Sequence, residues 1–418
     1  MTLLRINELH LESFRCFAAL DLSFEADVTV LFAENGGGKT AVLTSLAMAL
    51  DLLQPRHSKG LLLSGERDAR RVRNQVGQRE PVGPCTLACA AAIGAARSIG
   101  WSVTASATSR RRSEQLAAAS EAIEKVRLPG ERWPLLGFYG TGRLANERKP
   151  GRKARGFQDR WLGYAGCLEP SATDGPLLDW LEDEVHGDLV RQQRGEPERR
   201  LSRGVLEAIQ RATPSLEEIW YDPALQSPVA RFADGSEATW PELSDGFHVF
   251  MGLVGDIARR AVILNGQDGA AAPALVEGVV LVDEVDLHLH PSWQRTAVAG
   301  LRRAFPKLQL VVTTHSPQVL SSVENRQVRR LVDFGTHEQG VFVEGRDTNA
   351  ILRELMATDD RDERGKKDLT VLYASIDERK VDQARTLLAQ LRSKWGKHDP
   401  ELLRAEGLLG DALADRDE

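Results

Sequence analysis

A glycine-rich stretch near the N-terminus, LFAENGGGKTAVL (31–43), carries the residues best suited to chemistry. It departs from the phosphate-binding pattern G-x-x-x-x-G-K-[ST] at the first glycine, where the chain has Ala33. A triphosphate needs backbone N–H donors at a helix N-terminus together with a cation. We expect the glycines to wrap the phosphates, Lys39 to reach the β- and γ-phosphates, and the Thr40 hydroxyl to hold Mg²⁺. The methyl group of Ala33 is tolerable unless its backbone needs a positive φ angle.

Two carboxylates and a histidine follow apolar runs in the second half of the chain. In VLVDEVD (280–286), Asp283 and Glu284 emerge at a strand end, where ligands of an open α/β sheet collect. Asp283 suits the coordination of Mg²⁺, directly or through water, and Glu284 is placed to polarise an attacking water. In VVTTHSP (311–317), His315 ends another buried strand, where it would hydrogen-bond a γ-phosphate. Taken singly, these side chains have a simpler alternative as exposed carboxylates or as a structural histidine.

Two further sets of residues offer other chemistry. His288 and His290 have the H-x-H spacing of a metal site. The stretch NERKPGRKARGFQDR (146–160) has six basic residues against two acidic ones. It predicts either a solvated loop or a basic patch that contacts a phosphate backbone.

Four motifs occur in a definite order along the chain. The glycine loop, LSDG (243–246), VLVDEVD and TTHSP resemble the Walker A, signature, Walker B with D-loop, and His switch of an ABC-type ATPase head. This type of head spans SMC, RecF and OLD-like proteins, and the family pattern admits alanine at the first Walker A position. The resemblance implies a functional site for ATP and Mg²⁺. It assigns nucleotide contacts to Asn35, Gly36, Gly37, Gly38, Lys39 and Thr40.

The resemblance also implies contacts across a dimer. In the family, the signature serine and the following helix N-terminus contact the γ-phosphate of ATP held by the opposite subunit. The matching positions are Ser244 and Gly246, and Asp286 of the D-loop would face the partner. Arg15, in LESFRCF (11–17), matches the basic residue that approaches the nucleotide. For Ser244 the alternative is an ordinary N-capping serine.

The elements that must position these residues alternate between apolar strands and amphipathic helices. Residues 3–12 and 20–24 have the alternation of a strand pair, 27–33 is a continuously apolar central strand, and 85–107 indicate further strands. Apolar residues at helical spacing follow the glycine loop and the LSDG turn. The resemblance implies an α/β P-loop NTPase of ABC-ATPase type, with a mixed sheet flanked by helices. We divide the chain into an N-terminal lobe (1–110), an inserted, mostly helical lid (111–238), a C-terminal lobe (239–345) and a helical tail (346–418).

Spacing narrows the class of ATPase. About 200 residues separate the glycine loop from LSDG, without the heptads of an SMC coiled coil. The long insertion and HLHP depart from transporter ATPases. The tail resembles that of stand-alone PtuA-like ATPases, which work with a separately encoded nuclease in defence against phage. We therefore expect an ATPase that dimerises on ATP and regulates an effector, with a RecF-like DNA-repair ATPase as the alternative.

An OLD-like ATPase-nuclease is a third interpretation. Glu344, in FVEGRD (342–347), would then be a metal ligand of a TOPRIM domain. No second acidic cluster follows at a workable spacing, and the sequence beyond reads as helices. The remaining carboxylates of this region are predicted to lie in a solvated loop: Asp359, Asp360, Asp362 and Glu363.

Composition bounds location and partners. The chain is 42% hydrophobic and 27% charged, without an apolar run of the ~20 residues that span a bilayer and without a signal-peptide pattern, so we expect a cytoplasmic protein. The four cysteines form no C-x-x-C pair and are predicted to be reduced, buried thiols. The net charge of −6 argues against a protein that binds nucleic acid over its whole surface, but it allows a local basic patch. The expected partners are a second copy or higher oligomer, an effector, and DNA through loops such as 146–160. Arg143, in FYGTGR (138–143), follows a predicted strand end, where it would contact the nucleotide or a partner or form a salt bridge within the fold. Gln75 and Gln78 are available as the Q-loop glutamine, and neither is assigned.

Overall fold

The computed structural model describes residues 2–54, 61–74, 77–144, 159–170, 175–339, 341–356 and 361–417. The predicted basic loop at 146–160 lies outside the described residues except at its last two positions, and Gln75, Asp359 and Asp360 also lie outside them. The chain divides into two compact units, Met1–Ile351 and Leu352–Glu418. In the described part of the chain, no helix is both long enough and apolar enough to cross a membrane.

The elements follow in chain order within each class. The strands are β1 (Thr2–Phe14), β2 (Phe17–Ser23), β3 (Val28–Phe32), β4 (Arg71–Arg73), β5 (Arg79–Pro81), β6 (Cys85–Gly94), β7 (Ala96–Ala105), β8 (Arg110–Arg112), β9 (Leu135–Tyr139), β10 (Leu216–Asp222), β11 (Ser227–Phe232), β12 (Glu237–Thr239), β13 (Gly278–Val282), β14 (Leu308–Thr313), β15 (Val328–Val332) and β16 (Thr336–Gln339). The helices are α1 (Lys39–Asp51), α2 (Gln115–Val126), α3 (Gly175–Gln193), α4 (Leu201–Ala212), α5 (Asp245–Leu264), α6 (Ala272–Leu275), α7 (Pro291–Ala304), α8 (Pro317–Leu320), α9 (Thr348–Glu354), α10 (Glu363–Asp377), α11 (Val381–Trp395) and α12 (Pro400–Asp417).

A six-stranded mixed sheet forms the centre of the first unit, in the order β16-β15-β3-β14-β13-β9. Strands β3, β14, β13 and β9 run parallel, whereas β16 is antiparallel to β15. Every residue of β3, β13, β14 and β9 is buried, as expected for strands covered on both faces. The sequence predicted this α/β class, and the structure confirms it. Because parallel strands end at one edge, the glycine loop, Walker B and the His switch emerge together.

An antiparallel sheet of five strands accompanies it, in the order β2-β1-β6-β7-β8. The predicted pair 3–12 and 20–24 corresponds to β1 and β2, which pair antiparallel, and residues 85–107 supply β6 and β7. Strand β3 follows this pair in the chain but lies in the other sheet. Of the four cysteines, all are free thiols, and Cys85, Cys89 and Cys167 are buried, whereas Cys16 is half-buried.

The range assigned to the lid, 111–238, contains strands as well as helices. Helices α2, α3 and α4 lie in it, together with the small sheet β10-β11-β12. Strand β9 also lies in this range, although it hydrogen-bonds to β13 in the central sheet. Its five residues, LLGFY, form a short apolar run, and such a run does not reveal which sheet it joins.

The C-terminal unit contains the predicted tail helices. Apolar side chains of α10, α11 and α12 form their own core, with Leu372, Ala384 and Leu402 fully buried. The acidic run predicted as a solvated loop is partly helical: the Asp362 side chain accepts a hydrogen bond from the Gly365 N–H at 2.7 Å and caps α10, which begins at Glu363. An acidic N-cap followed by a glutamate is favourable at a helix N-terminus, where the backbone N–H groups are unpaired.

Candidate functional site

The glycine loop connects the end of β3 to the start of α1. Gly36 and Gly38 have φ angles of 78° and 94°, which disfavour residues with side chains. At Gly37 a Cβ atom would lie 2.6 Å from the Ala33 Cβ, so this position needs glycine for space. Ala33 is not among the described residues with positive φ, and its methyl group therefore causes no backbone strain.

Lys39 is the first residue of α1 and is 6% exposed. Its ammonium group donates hydrogen bonds to the carbonyl oxygens of Ala33, at 3.0 Å, and Glu34, at 3.3 Å. Burial lowers the pKa of Lys39, and the carboxylates of Asp283 and Glu284 oppose that shift. The structure thus holds a buried cation between the loop and the Walker B carboxylates.

Asp283 receives a hydroxyl donor on each oxygen. Thr40 Oγ1 donates to Asp283 Oδ2 at 2.8 Å, and Thr313 Oγ1 donates to Asp283 Oδ1 at 2.6 Å. Hydroxyl and carboxylate oxygens are hard ligands that suit Mg²⁺, which keeps waters and phosphate oxygens as its other ligands. The two predicted metal ligands are therefore adjacent, and the donor set fits the ion that ATPases of this type typically use.

Glu284 lies in the left-handed region, with a φ angle of 48°. Its N–H donates to Thr313 Oγ1 at 2.8 Å, and the next N–H, of Val285, donates to the Thr313 carbonyl at 2.9 Å. A non-glycine residue in this conformation is strained by about 1–3 kcal/mol, and such strain persists only where surrounding bonds impose it. Here the bonds to Thr313 impose the turn.

A second threonine, Thr314, connects His315 to the D-loop. Thr314, which precedes His315, donates its hydroxyl to Asp286 Oδ1 at 2.6 Å. Burial, together with the charge of Lys39, lowers the pKa of His315, so the neutral ring predominates at pH 7. A neutral histidine both donates and accepts hydrogen bonds, as a contact to phosphate and water requires.

The signature serine is exposed at the N-cap of α5. Within the described residues, the Ser244 side chain makes no capping hydrogen bond, although its position is that of an N-cap. At Gly246 a Cβ atom would lie 2.7 Å from the His288 carbonyl oxygen, so the signature turn packs closely against the D-loop of its own subunit. His290 caps α7 by accepting from the Ser292 N–H, and among the described residues no three His, Cys, Asp or Glu side chains form a metal cluster.

Arg15 is held by a buried carboxylate, and the two residues that follow it lie against the glycine loop. Its guanidinium donates to Asp68 Oδ1 at 3.1 and 3.3 Å, and Asp68 is fully buried. The next residues, Cys16 and Phe17, lie within 3.0 Å of the Cβ position of Gly38.

Three other predicted residues lie elsewhere. Gln78 is exposed in the β4–β5 turn, and Glu344 is exposed outside any strand, with its N–H donating to Asn325 Oδ1 at 3.1 Å. Arg143 belongs to a short 3-10 turn after β9.

Sequence reasoning missed Thr313, Thr314 and Asp68. Thr313 bonds to Asp283 of Walker B, and Thr314 bonds to Asp286 of the D-loop. Their position immediately before His315 is the sequence feature that could have indicated these contacts. For Asp68 there was none, because its partner Arg15 lies in a different segment of the chain.

The chain is similar to two protein families and to several named proteins. Residues 187–321 match the family described as "AAA domain, putative AbiEii toxin, Type IV TA system", and residues 8–80 match a family described as "AAA domain". A "Retron Vc95 probable ATPase" from Vibrio cholerae serotype O1 biovar El Tor is 24% identical over 381 residues, which cover 78% of this chain and 73% of the relative. A "Septu protein PtuA" from Bacillus mycoides is 39% identical over 92 residues, which cover 22% of this chain and 12% of that protein.

Among solved structures, an SMC head domain from Pyrococcus furiosus, bound to the C-terminal domain of ScpA, is 11% identical. It covers 81% of this chain and 97% of that chain, with a TM-score of 0.47. The matched AAA domains, the similarity to retron and Septu proteins and the order of the four motifs support an ABC/SMC-like ATPase.

Proposed function

We propose that this chain binds and hydrolyses ATP with Mg²⁺. The observation that carries the proposal is the 2.8 Å hydrogen bond between Thr40 and Asp283, which joins Walker A to Walker B across the sheet edge. Lys39 neutralises the phosphates, and Thr40 and Asp283 hold the metal ion. The ion, when bound, neutralises charge on the phosphate oxygens. Glu284 polarises the attacking water, and His315 contacts the γ-phosphate.

We further propose that two heads associate on ATP. The exposed, uncapped Ser244 supports this, because its hydroxyl and the adjacent helix N-terminus are available to a phosphate of another subunit. Asp286 would face the same partner.

The partner regulated by the ATPase is proposed to be a separately encoded effector, in anti-phage defence. The support is the similarity to a retron ATPase and to PtuA, together with a tail that is helical in its described part. The effector is proposed to be a nuclease.

Hydrolysis is tested with two substitutions in the site. Lys39→Ala should abolish nucleotide binding, because the phosphates lose their main charge partner. Glu284→Gln should retain ATP binding and slow turnover by roughly 10²–10⁴-fold, the range for loss of a general base. Lys307→Ala, an exposed lysine at the opposite end of β14, is the control and should change neither measurement. Wild-type turnover by the Glu284→Gln protein would contradict the proposal.

The effector is tested by capture and by a nuclease assay. The slow Glu284→Gln protein should copurify a second polypeptide from the native host, and Lys39→Ala should retain less of it. The purified chain alone should not nick supercoiled plasmid with Mg²⁺ or Mn²⁺, with or without ATP, whereas the captured complex should. Metal-dependent nicking by the chain alone that disappears in Glu344→Ala would overturn this assignment in favour of an OLD-like enzyme.

A second candidate function is RecF-like DNA binding, which an arginine-rich surface favours. Strands β4, β5 and β8 are exposed, and Arg110 of β8 donates to the Leu63 carbonyl at 2.8 Å, which ties β8 to the segment before β4. The exposed residues of this arginine surface are Arg71, Arg73, Arg79, Arg110, Arg111 and Arg112. In a chain of net charge −6, such a concentration of positive charge suits a phosphate backbone.

Duplex binding by anisotropy tests this candidate. The triple variant Arg73→Ala, Arg111→Ala and Arg112→Ala should weaken binding and reduce the salt slope by about one for each phosphate that the protein no longer neutralises. The matched control removes three exposed arginines elsewhere, Arg199, Arg200 and Arg203. An equal weakening in the two triple variants would reject the arginine surface as the DNA site.

A further inference from the structure

A buried chain of hydrogen bonds joins Walker B to the helix that begins at the signature. The Asp283 N–H donates to the carbonyl oxygen of Tyr139 at 2.8 Å. The hydroxyl group of the same tyrosine donates to Asp256 Oδ2 at 2.9 Å. Tyr139 is the last residue of β9, and Asp256 lies on α5, whose N-cap is Ser244. Only one residue, Tyr139, therefore separates the metal-binding strand end from the signature helix.

The acceptor of this chain is ionised and firmly held. Asp256 is 3% exposed, and its carboxylate accepts from Arg260 Nε at 2.7 Å and from Arg259 Nη2 at 2.5 Å. Burial alone would raise the pKa of Asp256, but the two guanidinium groups outweigh it, and the pKa lies below its usual range. Hydrogen bonds to an ionised acceptor in a buried site are stronger than neutral ones.

Two further contacts hold Arg260 and the Tyr139 ring in place. Arg260 Nη1 donates to the carbonyl oxygens of Gly163 and Ala165, both at 2.9 Å. A Cβ atom at Gly137 would lie 2.8 Å from the Tyr139 ring, so the glycine leaves the space that the ring fills. The phenol thus has a defined position between β9 and α5.

We propose that Tyr139 is a positioning residue that couples the nucleotide site to the signature helix within one subunit. Nucleotide and metal bound at Thr40 and Asp283 change the position of the end of β13. Tyr139 transmits that change to α5 and Ser244. The inference rests on the proposed nucleotide site and goes beyond it, because Tyr139 and Asp256 belong to none of the four motifs.

The test is hydrogen exchange of the α5 amides, residues 245–250, in a dilute sample that light scattering shows to be monomeric. With non-hydrolysable ATP and Mg²⁺, exchange in the wild type should slow by about tenfold, a coupling of ordinary size. Tyr139→Phe keeps the ring and removes only the hydroxyl, so the slowing should fall below about twofold while nucleotide affinity stays within about twofold. If Tyr139 had a purely structural role, Tyr139→Phe would lower the stability of the fold, and nucleotide affinity and the exchange response would change together.

Tyr164→Phe is the matched control. Its hydroxyl group is also buried, donating to the Pro134 carbonyl at 2.5 Å and accepting from Arg127 Nε at 3.3 Å, and it has no bond to Asp256. This variant should respond to nucleotide as the wild type does.

Three outcomes would overturn the link: a wild-type response in Tyr139→Phe, a missing response in the wild type, or loss of nucleotide binding in Tyr139→Phe. If the response behaves as expected but Glu284→Gln hydrolyses ATP at the wild-type rate, the proposed hydrolysis fails and the link stands.

Discussion

At the scale of single residues, the geometry of the candidate site depends on a threonine that orients its two carboxylate residues. Thr313 donates to Asp283 and accepts from the N–H of Glu284, so one hydroxyl orients the metal ligand and stabilises the strained turn of the proposed base. Because the hydroxyl both donates and accepts, an apolar residue of the same shape would remove both of these hydrogen bonds at once.

We predict that Thr313→Val lowers the rate of ATP hydrolysis and the affinity for Mg²⁺ by roughly 10- to 100-fold, the range for loss of an outer partner of a metal site. Valine matches threonine in volume, so no cavity contributes. Steady-state hydrolysis over a series of Mg²⁺ concentrations measures both effects, and Thr313→Ser should restore most of the activity. Wild-type values for Thr313→Val would show that the strand end holds its geometry without this hydroxyl.

At the scale of elements, helix α3 carries a carboxyl group on its buried face. Leu177, Leu181 and Glu184 follow helical spacing, and Glu184 is 5% exposed. Burial, with the charge of Asp188 adding to it, raises the pKa of Glu184 to about 7. The folded state therefore favours the protonated form, whereas the unfolded chain ionises near pH 4.5. This group contributes stability below about pH 4.5, and the contribution is lost as the pH rises through 7.

We therefore expect Glu184→Gln to raise the unfolding temperature by a few degrees at pH 8 and to change it little at pH 5. Glutamine keeps the shape and cannot ionise, so it removes the cost that appears at high pH. Glu182→Gln, an exposed position on the same helix, makes the same change of charge and should be neutral at both pH values. Thermal unfolding followed by circular dichroism measures the difference, and a shift of equal size at the two pH values would contradict the assignment.

At the scale of the whole molecule, the proposed association joins two copies of the chain. Ser244 is exposed and makes no capping bond within the described residues, and Gly246 lies against the backbone of the D-loop. The signature and the D-loop therefore form one surface of the subunit, to which a second head would bind through its nucleotide.

We predict that non-hydrolysable ATP with Mg²⁺ drives association of the heads and that ADP does not. Ser244→Arg should block association by steric and charge conflict while each monomer still binds ATP. Thr386→Arg, which adds the same side chain at an exposed position of α11, is the control and should associate normally. Light scattering reports the mass in each state. Unchanged association of the Ser244→Arg protein would exclude the signature surface as the interface.

The sequence by itself determined the class of fold, and it predicted which local segments would carry the chemistry. Runs such as 27–33 predict buried strands because an apolar run needs cover on both faces, and three adjacent glycines before Lys-Thr predict a phosphate loop because few other residues allow its backbone.

Only the tertiary structure decided the contacts between segments far apart in the chain. Thr40 meets Asp283, Tyr139 joins Asp283 to Asp256, and Arg15 meets Asp68 through hydrogen bonds that depend on how the strands pair, and strand order is not written in any one segment. The structure also decided the backbone of Ala33, whose φ is not positive, because that angle follows from the path of the loop and not from the residue type.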